Sequence, residues 1–179
     1  QYYIMIRRGQ TGIPGLDSLI EGGLVHNSVN LISGGTGTGK TLFSCQYLWH
    51  GLEKGDPGVL ITLEEDPDNI RADALQFGWD FAKYEKKGLC RIVYHDPSQV
   101  NNLGAVLINE IKNLNAQRLV IDSTTVIGLN IESQSQIRRK LFNLIGAIKN
   151  AGNTTALITA EIPEDSKALS TFGVEEFVC

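Results

Sequence analysis

Eight consecutive residues, Gly34-Gly35-Thr36-Gly37-Thr38-Gly39-Lys40-Thr41, satisfy G-x-x-x-x-G-K-[ST] at every fixed position. Glycines at these offsets let a backbone wrap a phosphate with its N–H groups turned inward. The N-terminus of the helix that follows adds partial positive charge. Lys40 can then reach the terminal phosphates of a nucleotide and Thr41 can offer a hydroxyl to Mg²⁺, with Leu42 counted among the nucleotide-binding residues. A bare turn before a helix needs one or two glycines and has no use for Lys-Thr at that offset.

A metal held through phosphate needs an acidic group nearby. Arg118-Leu119-Val120-Ile121-Asp122 is an apolar run ending in an acid, which puts Asp122 at a strand's C-terminal tip, where open α/β sheets bind ligands. Thr41 and Asp122 are therefore the candidate metal residues. Hydrolysis further needs a group that orients and deprotonates water. The run 59–63 ends in Glu64-Glu65, and Glu64 is the first choice as catalytic base, with Glu65 beside it. Adjacent carboxylates raise each other's pKa, which suits a base working near neutrality. The same two acids precede Asp66-Pro67, where favouring a helix N-terminus is the alternative role.

These groups must be positioned by a scaffold, and the sequence supplies one. β-branched and apolar runs at 29–33, 58–63, 89–94, 118–122 and 154–159 alternate with stretches at 40–53, 69–77, 103–114 and 134–151. The latter place apolar residues three and four apart, as amphipathic helices require. Asp66-Pro67 reads as a helix start and Gly152 as a stop. Alternation of this kind predicts an α/β, three-layered fold with a mostly parallel central sheet and helices on both faces.

Composition bounds the function. The 179 residues, 42% of them hydrophobic, suit one globular domain. No apolar stretch approaches the roughly 18 residues that span a bilayer, and no secretory leader opens the sequence, so a cytoplasmic protein without a membrane role is expected. Cys45, Cys90 and Cys179 lack metal-ligand spacing and read as reduced thiols. His26, His50 and His95 are likewise scattered. A net charge of −4 argues against nucleic acid as a partner. The run Val174 to Cys179 ends without a turn or charged tail, so the domain's C-terminal part is expected to lie beyond it.

With the motifs in place, the sequence resembles the KaiC-like branch of the RecA superfamily of ATPases. The likeness runs from Thr11-Gly12-Ile13-Pro14-Gly15-Leu16-Asp17 and Gly22-Gly23-Leu24 through Thr62-Leu63-Glu64-Glu65, Phe77-Gly78-Trp79-Asp80 and Arg138-Arg139-Lys140-Leu141-Phe142 to Gly173-Val174-Glu175-Glu176-Phe177. It implies a RecA-like P-loop NTPase core over residues 1–179, binding of ATP with Mg²⁺, the paired glutamates as catalytic residues, and a homo-oligomeric ring, usually a hexamer. ATP rather than GTP follows from the resemblance alone. In Thr159-Ala160-Glu161, the last residue falls where recombinases carry a γ-phosphate-sensing glutamine; Glu161 is a candidate sensor, with helix capping as the alternative.

Departures from KaiC itself are equally informative. That protein carries two such domains in tandem, this chain shows one, and no counterpart of its phosphorylated Ser/Thr pair is identifiable. The basic residues that KaiC-like subunits extend into a neighbour's site would fall beyond Cys179. The expected function is an oligomeric, nucleotide-driven switch in regulation or signalling, with unidentified protein partners. The alternatives are a RadA/RecA-paralogue-like DNA-binding ATPase in recombination or repair, and a nucleotide-binding regulator that does not hydrolyse. Thr124, Thr125 and the polar stretch Asn130 to Gln136 would face a ring's channel, and with no Lys, Arg or aromatic residue before Arg138 that loop offers little to a nucleic acid.

Overall fold

The computed structural model describes residues 5–124 and 133–161. The chain opens with a short antiparallel pair, β1 (Arg8–Gly9) and β2 (Leu24–Val25), around the one-turn helix α1 (Leu16–Leu19). Then follow β3 (Val29–Gly34), α2 (Lys40–Glu53), β4 (Gly58–Thr62), α3 (Pro67–Gln76), α4 (Phe81–Lys86) and β5 (Cys90–Tyr94). After a 3₁₀ turn at Pro97–Gln99 come α5 (Val100–Leu114), β6 (Arg118–Asp122), α6 (Gln134–Ala151) and β7 (Thr155–Glu161).

Five strands form one sheet in the order β3-β7-β6-β4-β5, with every neighbouring pair parallel. Successive side chains of a strand face opposite sides, and the central strands use that alternation fully. Val59, Ile61, Leu119 and Ile121 pack with Leu103, Leu107 and Ile148 of α5 and α6 on one face. Leu60 and Val120 pack with Leu48, Leu52, Ile70 and Phe81 of α2, α3 and α4 on the other. Strands buried on both faces read as continuous apolar runs, which is why β4 and β6 were plain in the sequence. The expected α/β fold with helices on both faces is the observed one. No helix among the described residues is long and apolar enough to cross a membrane.

Helix α3 starts at Pro67, as Asp66-Pro67 predicts: Asp66 accepts a hydrogen bond from Asp68 N at 2.7 Å and proline fits the first helical turn. Other boundaries differ from expectation for local reasons. Helix α4 was not anticipated: its six residues are too few to show a period, and Phe81 holds it by packing edge-on to Trp49. Strand β7 runs two residues past the expected end, so Glu161 is its last residue. Trp79 packs partly against the core and stacks on Phe77 at 5.2 Å. The run 163–167, the segment Gly173-Val174-Glu175-Glu176-Phe177, Cys179 and most of the stretch 124–136 lie outside the described residues.

The lead-in segment is tied down by buried polar groups. Asp17 Oδ1 accepts from both Thr11 N and Thr11 Oγ1, at 2.8 and 2.7 Å. Arg118, at the start of β6, donates to Tyr47 O at 2.7 Å and to Gln10 O at 2.6 Å, with its guanidinium over the Tyr47 ring. A buried guanidinium must have its donors satisfied, and here the carbonyls of α2 and of the lead-in segment do so.

Candidate nucleotide site

The loop between β3 and α2 is shaped by its smallest residues. Gly39 adopts φ of 83°, a left-handed conformation that costs glycine little, and from it the chain enters α2. Gly34 sits so close to the loop that a Cβ there would lie 2.8 Å from Thr38 Oγ1. Lys40, largely buried, folds its side chain back over the loop and donates to Gly34 O at 3.0 Å and Gly35 O at 2.7 Å. Thr38 Oγ1 donates to Gly35 O at 2.8 Å, closing the turn from inside.

Parallel strand order then brings the acids to this loop. Strands β7 and β6 lie between β3 and β4, so the C-terminal tips of all four line one rim. Asp122 is buried at the tip of β6, and its Oδ2 accepts from Thr41 Oγ1 at 2.7 Å across 81 residues of sequence. Its Oδ1 accepts from the hydroxyl of Thr159 on β7.

Glu64 and Glu65 leave the tip of β4 on a turn organised by one buried hydroxyl. Thr62 Oγ1 donates to Glu65 O at 2.8 Å and accepts from Glu65 N at 3.0 Å and Glu64 N at 3.4 Å. Burial pushes the Glu64 carboxyl above the usual carboxylate range, and the charges of Glu161 and Asp122 push it further. Glu65 is also raised by burial, but its first charged neighbour is Asp73 on α3, ahead of Asp122 and Glu64. The charges of the β6 and β7 acids thus act on Glu64, while that of Asp73 on α3 acts most on Glu65. Glu161 reaches Thr36 Oγ1 at 3.5 Å.

An open cleft of about 690 Å³ joins these parts. Gly37, Thr38, Gly39, Lys40, Thr41 and Leu42 line one side, and Glu64, Glu65, Asp122 and Glu161 the other. Of the sequence candidates, Gly34, Gly35 and Thr36 stay out of the lining; the first two hold Lys40 from beneath. Asp66, Asn69 and Ser123 line the cleft without having been singled out for it. Asp66 carried a signal only as a helix cap, and Asn69 becomes a rim residue only once α3 is placed beside β4.

Whether the cleft suits a metal follows from its donors. The Thr41 hydroxyl and Asp122 carboxylate are hard oxygens already within hydrogen-bond distance, and Mg²⁺ is commonly held by one or two such groups together with phosphate oxygens. No cluster of three or more His, Cys, Asp or Glu that could hold a metal unaided occurs among the described residues. The donor set therefore fits a cation that arrives with a nucleotide. Cys45, beneath the loop on α2, has its thiol pushed up to about 12 by burial and, secondarily, by Asp122, Glu65 and Asp73, so it stays protonated and inert.

Comparison with known proteins agrees with this geometry. The family model described as "ATPase: KaiC" matches residues 9–179. A UPF0273 protein of Pyrococcus furiosus is 36% identical over 191 residues, covering 97% of this chain and 76% of its own length. The circadian clock oscillator protein KaiC of Synechococcus elongatus is 39% identical over 184 residues, covering 97% of this chain and 35% of its own. A crystal structure of a KaiC-like protein from Pyrococcus horikoshii superimposes with a TM-score of 0.85 at 42% identity, covering 97% of this chain and 77% of that one. A phosphate-loop motif on a RecA-type parallel sheet, together with matches of this extent, leads to one conclusion: the chain belongs to the KaiC family of ATPases.

Proposed function

We propose that this chain is an ATPase domain that binds ATP with Mg²⁺, hydrolyses it slowly, and works as a cytoplasmic, nucleotide-driven switch within a homo-oligomeric ring of six. The observation that supports it most is the contact between Thr41 and Asp122, which links the phosphate loop to the tip of β6. Loop glycines and the N-terminus of α2 present N–H groups to phosphate oxygens. Lys40 can exchange its loop carbonyls for the terminal phosphates, since both are oxygen acceptors within its reach. Thr41 and Asp122 would hold Mg²⁺, which when bound neutralises phosphate charge. Glu64 takes the proton of an attacking water, and Glu161 accepts a hydrogen bond near the same phosphate. Partners, in this reading, are other proteins that distinguish the nucleotide states.

The test is solution mass with and without Mg-ATP, combined with phosphate release. A nucleotide-dependent rise toward six subunits, with slow phosphate release, is the expected result. Failure to bind nucleotide would reject the reading, and a mass indifferent to nucleotide would reject the ring.

The acidic surroundings of Glu64 also set a pH dependence. A base works when ionised, and burial, Glu161 and Asp122 all favour its neutral form. Activity should therefore fall on acidification at a higher pH than for an ordinary glutamate. Glu161→Gln removes one repelling charge, so the acid limb of the kcat profile should move to lower pH. A limb that stays in place or moves upward would show that Glu64 does not sense Glu161.

A further inference from the structure

We infer that Thr159 is a positioning residue for the metal-side carboxylate: its buried hydroxyl fixes the orientation of Asp122, so that Asp122 presents Oδ2 to the phosphate loop. This rests on the nucleotide-site reading above and extends it from the cleft's lining to a buried residue of β7.

Strand β7 is apolar at Ala156, Leu157, Ile158 and Ala160, and Thr159 among them is fully buried. A hydroxyl in such a place must find a partner or leave an unsatisfied polar group. Two acceptors are within reach, Asp122 Oδ1 and, at a marginal 3.5 Å, Ile121 O. One hydroxyl has one proton, and the charged, closer acceptor takes it. The backbone of Thr159 is itself held, because its carbonyl accepts from Thr124 N at 2.9 Å and from Thr124 Oγ1 at 3.0 Å. The hydroxyl is therefore anchored, and Asp122 turns to it rather than the reverse.

The two carboxylate oxygens consequently have different duties. Oδ1 is committed to β7 inside the sheet, while Oδ2 faces Thr41 at the cleft. Thr41 could offer a hydroxyl lone pair to a cation while still donating its proton to Oδ2, and Oδ1 would keep the plane of the group unchanged. Without the Thr159 hydroxyl, the carboxylate can rotate and Oδ1 has lost its donor. Valine has nearly the same shape, so Thr159→Val removes the hydrogen bond and little else.

The experiment is a titration of a fluorescent, non-hydrolysable ATP analogue, in EDTA and in Mg²⁺, for wild type, Thr159→Val and Thr159→Ser. Thr159→Val should match wild type in EDTA and lose about tenfold of the tightening that Mg²⁺ confers, whereas Thr159→Ser should stay within about twofold of wild type. A valine variant with the full Mg²⁺ response, or a serine variant as impaired as valine, would overturn the positioning role while leaving the nucleotide site intact. Should circular dichroism show the valine variant unfolded, Thr159→Ala is read by the same criterion, and a full Mg²⁺ response there is equally fatal. A wild type that does not bind the analogue would overturn the nucleotide-site reading and this inference with it. A wild type that binds equally well without Mg²⁺ would overturn the metal role of Asp122, and again this inference.

Discussion

Lys40→Ala is expected to weaken nucleotide binding by about 10²–10⁴-fold while leaving the fold intact. A hydrogen bond from a charged donor contributes about 1.5–3 kcal/mol, and an ammonium bridging two phosphates makes at least two. Alanine removes both and leaves the anion's charge to backbone N–H groups alone. The unliganded protein loses less. The carbonyls of Gly34 and Gly35 that accept from Lys40 are only half-buried, so water can replace the ammonium. A cation in the first turn of α2 also opposes the helix dipole, by about 0.3–1 kcal/mol, and its removal offsets part of the loss. Calorimetric titration with ATP and thermal unfolding without it should therefore diverge: affinity collapses, and stability changes by less than about 1 kcal/mol. Unchanged affinity would mean that the loop does not cradle phosphate.

Glu64→Gln is expected to reduce phosphate release by about 10²–10⁴-fold, the usual contribution of a general base, with nucleotide affinity retained. Glutamine has the same shape and can still orient water, but it cannot take the proton. Its neighbour provides the internal comparison. Glu65 stands one residue on, but its principal charged neighbour is Asp73 on α3 rather than the acids of β6 and β7. Glu65→Gln should thus cost less than Glu64→Gln in single-turnover phosphate release. Equal rates for Glu64→Gln and wild type would remove Glu64 from the mechanism, and a larger loss at position 65 would exchange the two roles.

Much of this site could be read before its geometry was known, because the parts that bind phosphate are contiguous. Gly34 to Thr41 form one loop, and the requirement for small residues followed by Lys-Thr is written locally. Asp122 and Glu64 were legible through a second rule, that acids ending buried parallel strands gather at one rim. What could not be read was which strands stand side by side. Interposing β7 and β6 between β3 and β4 is a property of the whole sheet, and only that order places Thr159 against Asp122. A threonine inside a run such as Thr154 to Thr159 reads as a β-branched strand former, since nothing near it in sequence names its partner 37 residues away. Thr62 was hidden in the same way. Its hydroxyl shapes the turn that carries both glutamates, yet in the sequence it is one more residue of an apolar strand.

Strand β6 ends in Asp122 but begins with Arg118, and the two ends serve unlike purposes. Four steps at about 3.3 Å put their backbones roughly 13 Å apart. At the far margin the guanidinium behaves as a rivet, joining helix, sheet and leading segment without any chemistry of its own. The exposed Lys54–Gly55 turn sits on that riveted margin, beside Asp56, whose carboxylate lies 3.9 Å from Arg118. A dye, tether or fused tag attached there would ride on a stiff mount and remain remote from the pocket, so this turn is a natural handle for watching the domain work.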